Sequence, residues 1–254
     1  MSRASMAKRT ATTKAATHTK QCFAELLSRD QELSALRAEY ARKPATERRA
    51  AAEWAYDEGI ATSLFGAALA RLQGEQLPAP RWPECFAALA IDPEFAPALL
   101  TVGCHEYGCG RRVEGMRLLL QLTQLPPDTA DWIEIIDKAG QYLMDANDAA
   151  STCRLYEAAL KARPDEQEFI IGIGWALCRA GKQNEALPWL ERAVANDPND
   201  CSVLNDYGWG LTELGRFDEA EKALEKAVQL APADYDLPAN NLERLRQLRQ
   251  KAQP

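Results

Sequence analysis

Proline recurs at positions 93, 127, 164, 198 and 232, at separations of 34, 37, 34 and 34 residues. Glycine recurs in step with it at 103, 140, 174 and 208, separated by 37, 34 and 34. Two residue types with different backbone habits therefore share one period and one insertion. A chain with such a period repeats a single supersecondary unit and buries its apolar faces by stacking the copies.

The clearest block runs from Pro164 to Pro198, PDEQEFIIGIGWALCRAGKQNEALPWLERAVAND, and the next from Pro198 to Pro232, PNDCSVLNDYGWGLTELGRFDEAEKALEKAVQLA. Each holds an apolar segment, a glycine turn, a second apolar segment and a terminating proline. Gly181 and Gly215 stand where a first helix should stop, because glycine takes up the left-handed backbone of a helix end without strain. The prolines follow the second helix, whose hydrogen-bond ladder they cannot continue. A glycine inside a helix costs about 1 kcal/mol relative to alanine. Its repetition at Gly174 and Gly208 predicts that a neighbouring helix comes close there. Ala186 and Ala220, with Ala159, Ala193 and Ala227, are small for the same reason. Ile170, Ile173, Leu177 and Leu190, then Leu204, Tyr207, Leu211 and Leu224, fill the spaces between.

The 34-residue period, the Ile173-Gly174 and Tyr207-Gly208 pairs, the Gly181 and Gly215 turns, the paired alanines and the closing prolines resemble the tetratricopeptide repeat. The likeness is strongest over 165–232. Over 131–164, Gly140, Leu143, Tyr156, Ala159 and Pro164 fit, while Asn147 replaces the turn glycine and Thr152 the first small alanine. Over 94–130, Gly103, Gly110 and Pro127 fit, with Gly115 at the first small position and Leu122 at the second. Residues 60–93 read as a further degenerate unit with Gly66, Gly74, Ala88 and Pro93, its turn lengthened by the QLPAPRWP insertion at 76–83. The resemblance implies an all-α fold: an α-solenoid of antiparallel helix pairs wound as a right-handed superhelix, with helical caps.

The flanks complete that organisation. Residues 1–20 carry five Lys and Arg and no acid, and low hydrophobicity with one sign of charge predicts a disordered tail. Such a tail could be without a role, a basic arm, or a transit peptide; it has no central apolar stretch and is no secretory signal. Residues 21–93 form an N-terminal helical cap, with Phe23, Leu26, Leu27, Leu33 and Leu36 at helical spacing and a long helical stretch over 46–73. Repeats occupy 94–238. Residues 239–254 form a C-terminal capping helix, with Leu242, Leu245 and Leu248 inside and Arg244, Arg246 and Arg249 outside, the polar outer face that a solenoid end needs.

The chain has a formal net charge of −7, so the part beyond the basic tail stands at −12. That argues against general nucleic-acid binding, which depends on Lys and Arg at phosphates. No apolar run approaches the roughly 18 residues of a membrane span. Seven scattered cysteines, an odd count without a signal peptide, fit reduced thiols in the cytoplasm. Cys104, His105 and Cys109 are the nearest approach to a metal site or a thiol enzyme, but they lack a fourth ligand and a supporting acid or amide. Gly172 and Gly174 lie inside a predicted helix, so they make no dinucleotide fingerprint, and there is no phosphate-binding loop. Neither a catalytic residue nor a metal ligand nor a cofactor is expected.

Trp175 and Trp209 lie one repeat apart, each next to a packing glycine, so both point to the same side of their first helices. The resemblance implies that stacked first helices line a concave groove holding peptides or partner helices. Carried over by register, the groove should contain Asp137, Gln141 and Asp145, then Glu168, Ile171 and Trp175, then Asn205, Trp209 and Glu213. Glu134, Met144, Cys178, Arg179, Ser202 and Thr212 join that face, and Glu243 and Arg246 should close its end. Aromatic residues at helical spacing also serve as core, and that alternative stands beside the groove. Tryptophan suits a binding surface because it buries much apolar area and keeps one donor. The acidic wall of Asp137, Asp145, Glu168 and Glu213 favours a partner with Lys or Arg beside apolar anchors. Some relatives hold a terminal carboxylate with paired Lys and Asn; here Ile171 and Trp175, or Asp137 and Gln141, occupy those places, which argues against that clamp. The expected function is a non-enzymatic scaffold, adaptor or assembly factor that binds another protein. A nucleic-acid-associated protein using the basic tail is the alternative, a thiol or metal enzyme a third. An exposed groove or an uncapped end would also allow copies to stack on one another.

Overall fold

The computed structural model describes residues 31–73 and 83–252, the side chains of 61–73 excepted. The basic tail at 1–20, the positions Phe23, Leu26 and Leu27, and nearly all of the 76–83 insertion lie outside the described residues. Among those described, the regular structure is helical: α1 (31–40), α2 (Ala45–Gln73), α3 (Pro83–Ile91), α4 (Ala96–Gly108), α5 (Arg112–Leu122), α6 (Trp132–Asp145), α7 (Ala149–Ala159), α8 (Gln167–Arg179), α9 (Gln183–Asn196), α10 (Cys201–Glu213), α11 (Phe217–Leu230) and α12 (Leu237–Ala252). The chain divides into two compact units, Met1–Val102 and Gly103–Pro254.

In the first unit Ala52 and Ala55 of α2 pack against Ala88 and Ile91 of α3 and against Phe95 and Ala98. Tyr56 meets Phe95 edge-on at 5.6 Å. Asp92 is buried where α3 ends, and Arg49 donates to it at 2.6 Å. That pairing is what makes a buried carboxylate tolerable at a helix end.

The second unit stacks helix pairs, α6 with α7, α8 with α9 and α10 with α11. Each first helix ends as expected: Gly110, Gly181 and Gly215 have φ of +84°, +73° and +74°. Asn147, the replacement for the missing turn glycine, has φ +57°. Asparagine tolerates that region better than other residues with a Cβ. Asp148 and Asp200 cap the next helices, accepting from the Ser151 and Ser202 backbone N–H groups at 3.0 and 2.8 Å.

The mid-helix glycines mark the predicted close approaches. A Cβ on Gly174 would meet Leu190 Cδ2 at 2.7 Å, and one on Gly208 would meet Leu224 Cγ at 2.6 Å. In the diverged α4–α5 pair a Cβ on Gly103 would likewise meet Leu119 Cδ2 at 2.7 Å, and a second glycine stands on the second helix. There a Cβ on Gly115 would meet the Tyr107 backbone nitrogen at 2.5 Å and the Gly103 carbonyl oxygen at 2.7 Å.

At the C-terminal end Leu242 and Leu245 of α12 join Leu187, Leu211, Ala220 and Leu224 in one buried cluster. Arg249 reaches Asp218 at 2.6 Å and Glu221 at 2.9 Å, and Arg246 reaches Glu221 at 3.4 Å. Apolar contact therefore supplies the adhesion of α12, and its arginines tie it to α11.

Gly115→Ala should destabilise the chain by about 1–3 kcal/mol although alanine is the better helix former, because the added methyl meets backbone that cannot rotate away. Urea unfolding followed by circular dichroism measures this, and an unchanged or raised midpoint would show that α4 and α5 do not close as described.

Candidate functional site

The side chains of α6, α8 and α10 that do not pack against second helices form one trough. Its middle is a hollow of about 440 Å³ lined by Asp137, Gln141, Met144 and Asp145 of α6, by Glu168, Ile171, Gly172 and Trp175 of α8, and by Tyr156 and Asp206. A neighbouring hollow of about 300 Å³ is lined by Trp175, Cys178 and Arg179 of α8, by Asn205, Asp206 and Trp209 of α10, and by Leu237 and Asn241 of α12. Trp175 and Asp206 belong to both.

The tryptophans differ from a packed core. Trp175 is 40% exposed, while Trp209 is half-buried. Each ring carries a cation of this chain: the Arg179 guanidinium lies 5.1 Å from the centroid of Trp175, and that of Arg244 lies 5.7 Å from Trp209. A guanidinium over an indole face is held by the ring quadrupole.

Behind the middle hollow stands Tyr156. Its hydroxyl donates to Asp137 Oδ1 at 2.9 Å, and its ring stacks on Phe169 at 5.5 Å, which in turn meets Trp132 edge-on at 5.7 Å. The tyrosine fits because Gly140 on one side and Gly172 on the other lack a Cβ that would collide with its ring. Gln141 also donates to Asp137, at 2.5 Å. The Asp137 carboxylate is thus fixed in orientation, with its charge turned to the hollow.

Eight of the nine residues expected at the groove line these two hollows. Glu213 does not: it is exposed, at the end of α10, close enough to Cys178 to help burial and Asp206 push that thiol up to about 11. Asn205 is buried at the edge of the smaller hollow, where it accepts from Asn241 at 2.8 Å and donates to Asp206 at 3.1 Å. It joins α10 to α12 and is spent on that task. Thr212 is likewise buried and donates to the Gly208 carbonyl at 2.8 Å. Glu134 pairs with Lys138 at 2.6 Å. Arg246, expected to close the end of the groove, turns to α11 instead, and Arg244, expected on the outer face of the cap, lies over Trp209.

Several participants escaped the register argument, among them Leu237 at the start of α12. Tyr156 sits on a second helix and reaches between two first helices. Asp206 stands three residues before Trp209, so it shares that face of α10, at a position the register had not picked out. Asn241 and Arg244 come from the cap. For Tyr156 the sequence signal is Gly172, a second helical glycine two residues before Gly174, which marks the space Tyr156 enters.

Burial pushes the Asp206 carboxyl up to about 6, with the neighbouring Asp200 charge acting in the same sense and the Asn205 amide opposing. Glu168 is also raised, by burial and by Glu166. Elsewhere, burial pushes Cys104 up to about 12, which keeps it a thiol and not a nucleophilic thiolate. Cys109 lies 3.7 Å from His105 Nε2, and no three His, Cys, Asp or Glu residues among those described group as metal ligands.

Residues 143–205 match one tetratricopeptide repeat family model and residues 201–234 match a second. Residues 143–234 are tetratricopeptide repeats. Three solved structures with these repeats resemble the chain at low identity. The Sgt2 TPR domain from Aspergillus fumigatus is 20% identical over 46% of this chain and 78% of its own, with a TM-score of 0.43. The first TPR domain of human RPAP3 is 19% identical over 46% and 92%, with a TM-score of 0.44. MamA from Desulfovibrio magneticus RS-1 is 19% identical over 63% and 97%, with a TM-score of 0.43. No curated protein matches the sequence. Among the described residues no helix is long and apolar enough to cross a membrane.

The Asp206 shift has a sign that stability measurements can read. A carboxyl whose folded pKa is raised binds its proton more tightly when folded, so its penalty is absent below the unfolded pKa and grows as pH rises through about 6. Asp206→Asn should therefore stabilise the chain at pH 7.5, on the order of 1 kcal/mol, with the gain shrinking through pH 6 and absent near pH 4. A gain equal at both pH values in urea unfolding would contradict this placement of the charge.

Proposed function

We propose that the chain is a non-enzymatic interaction scaffold whose repeats hold a segment of another protein along the trough of α6, α8 and α10, in the cytoplasm. The segment carries basic residues beside apolar ones. The observation that supports this most is Trp175: a large apolar side chain left exposed at the junction of two hollows, flanked by carboxylates of three successive repeats. Exposed apolar surface rimmed by polar groups is where proteins meet partners, and tryptophan concentrates binding energy when a partner covers it.

The electrostatics support the basic component. The middle hollow is lined by Asp137, Asp145, Glu168 and Asp206, and none of its lining residues is basic. A cationic partner is drawn to such a surface and a polyanion is repelled, which speaks against nucleic acid at this face. The architecture adds pre-organisation. The trough is built on helices locked by glycine contacts and by the Tyr156–Asp137 hydrogen bond, so a ligand need not order it.

Trp175→Ala with Trp209→Ala should abolish partner capture in affinity purification with mass spectrometry, a loss of at least about 30-fold, while far-ultraviolet circular dichroism stays that of the parent. Capture of the same partners by the double variant would exclude this face as the binding surface.

A further inference from the structure

The middle hollow has a chemistry of its own within the trough. Its apolar lining is made by Ile171, Met144, Tyr156 and Trp175. Asp137 and Asp206 both line it, Asp137 held by the hydrogen bonds from Tyr156 and Gln141, and Asp206 shared with the smaller hollow. The chain's own cation on Trp175, Arg179, lines the neighbouring hollow and not this one. The ring is therefore shown to accept a guanidinium, while the carboxylates of the middle hollow face no cation among its lining residues.

We propose that this hollow is a socket for one arginine or lysine side chain of the bound segment, its aliphatic stem on Ile171 and Trp175 and its charged head between Asp137 and Asp206. This rests on the trough being the binding surface and goes on to name the side chain that it selects. A long cationic side chain is the one that satisfies both parts: an apolar stem covers the apolar lining and the head reaches the carboxylate acceptors. A neutral apolar residue would desolvate the two carboxylates without supplying a countercharge, and an acidic one would add a further negative charge. Burial raises Asp206, and a cation beside it would lower it again. About 440 Å³ accommodates such a side chain, near the lower end of the roughly 300–1,000 Å³ usual for ligand cavities.

The test uses the full chain and two small probes, acetyl-arginine amide and its neutral near-isostere acetyl-citrulline amide. Each is titrated at low salt while the Trp175 indole N–H is followed by NMR, its signal assigned with Trp175→Phe. The arginine probe should shift that signal along a saturating curve, with the citrulline probe about tenfold weaker. Asp137→Asn keeps an oxygen to accept from Tyr156, and it should weaken the arginine probe about fivefold. Glu157→Gln, which removes an exposed carboxylate on α7, should leave it unchanged. Equal binding of the two probes, no shift with either, or equal weakening by Glu157→Gln would overturn the socket. Partner capture that the Trp175→Ala, Trp209→Ala variant loses would still hold in that event, so failure of the socket is distinguishable from failure of the trough.

Discussion

The stack depends on contact between a helix backbone bare of Cβ and a leucine of the helix that follows it. Gly174 against Leu190 and Gly208 against Leu224 let each pair close until leucine touches the opposite main chain. Dispersion at such contact is small per atom pair and large in sum, and the gap that a displaced helix would leave is filled by nothing else. Once the pairs are closed, stacking follows, since Ile173, Leu190, Leu211 and Leu224 are then all fully buried. The glycines weaken the isolated helix, so tertiary contact outweighs intrinsic propensity at the positions that set the repeat.

The trough is the other face of the same arrangement. A first helix buries one stripe against its second helix and another against the next repeat, leaving a third stripe open. What fills that third stripe is free of packing demands, and here it is filled by carboxylates, amides and two indoles. Tyr156 ties the two faces together. It is a core residue by its stacking on Phe169 and a groove residue by its hydrogen bond to Asp137, so the repeat that packs also aims the charge.

Repeat boundaries and turns were legible in the sequence because they are local. Gly181, Gly215 and Asn147 announce a left-handed backbone by residue type alone, and a closing proline announces that a helix has ended. The stripe carrying Ile171, Trp175 and Trp209 was legible because register carries a face from one repeat to the next. Periodicity is silent where a side chain crosses between elements. Asn241 to Asn205, Arg244 to Trp209 and Tyr156 to Asp137 each span separations set by packing and not by the 34-residue step. Asn205 shows the consequence: its register places it on the open stripe, yet α12 covers it and takes its hydrogen-bonding capacity.

The arginines on the two indoles alter what a partner must do. Arg179 and Arg244 each cover part of an aromatic surface that would otherwise meet water, and each is held there by an interaction of about 0.5–1 kcal/mol at an exposed site. That is weak enough for a ligand to displace and strong enough to keep the rings from associating indiscriminately. Arg244 belongs to the cap, whose neighbours Arg246 and Arg249 are tied to α11 by ion pairs. Its reach over Trp209 therefore depends on where α12 sits, whereas Arg179 covers Trp175 from the same helix. The two indoles are consequently covered in different ways, one from within its own helix and one from the cap.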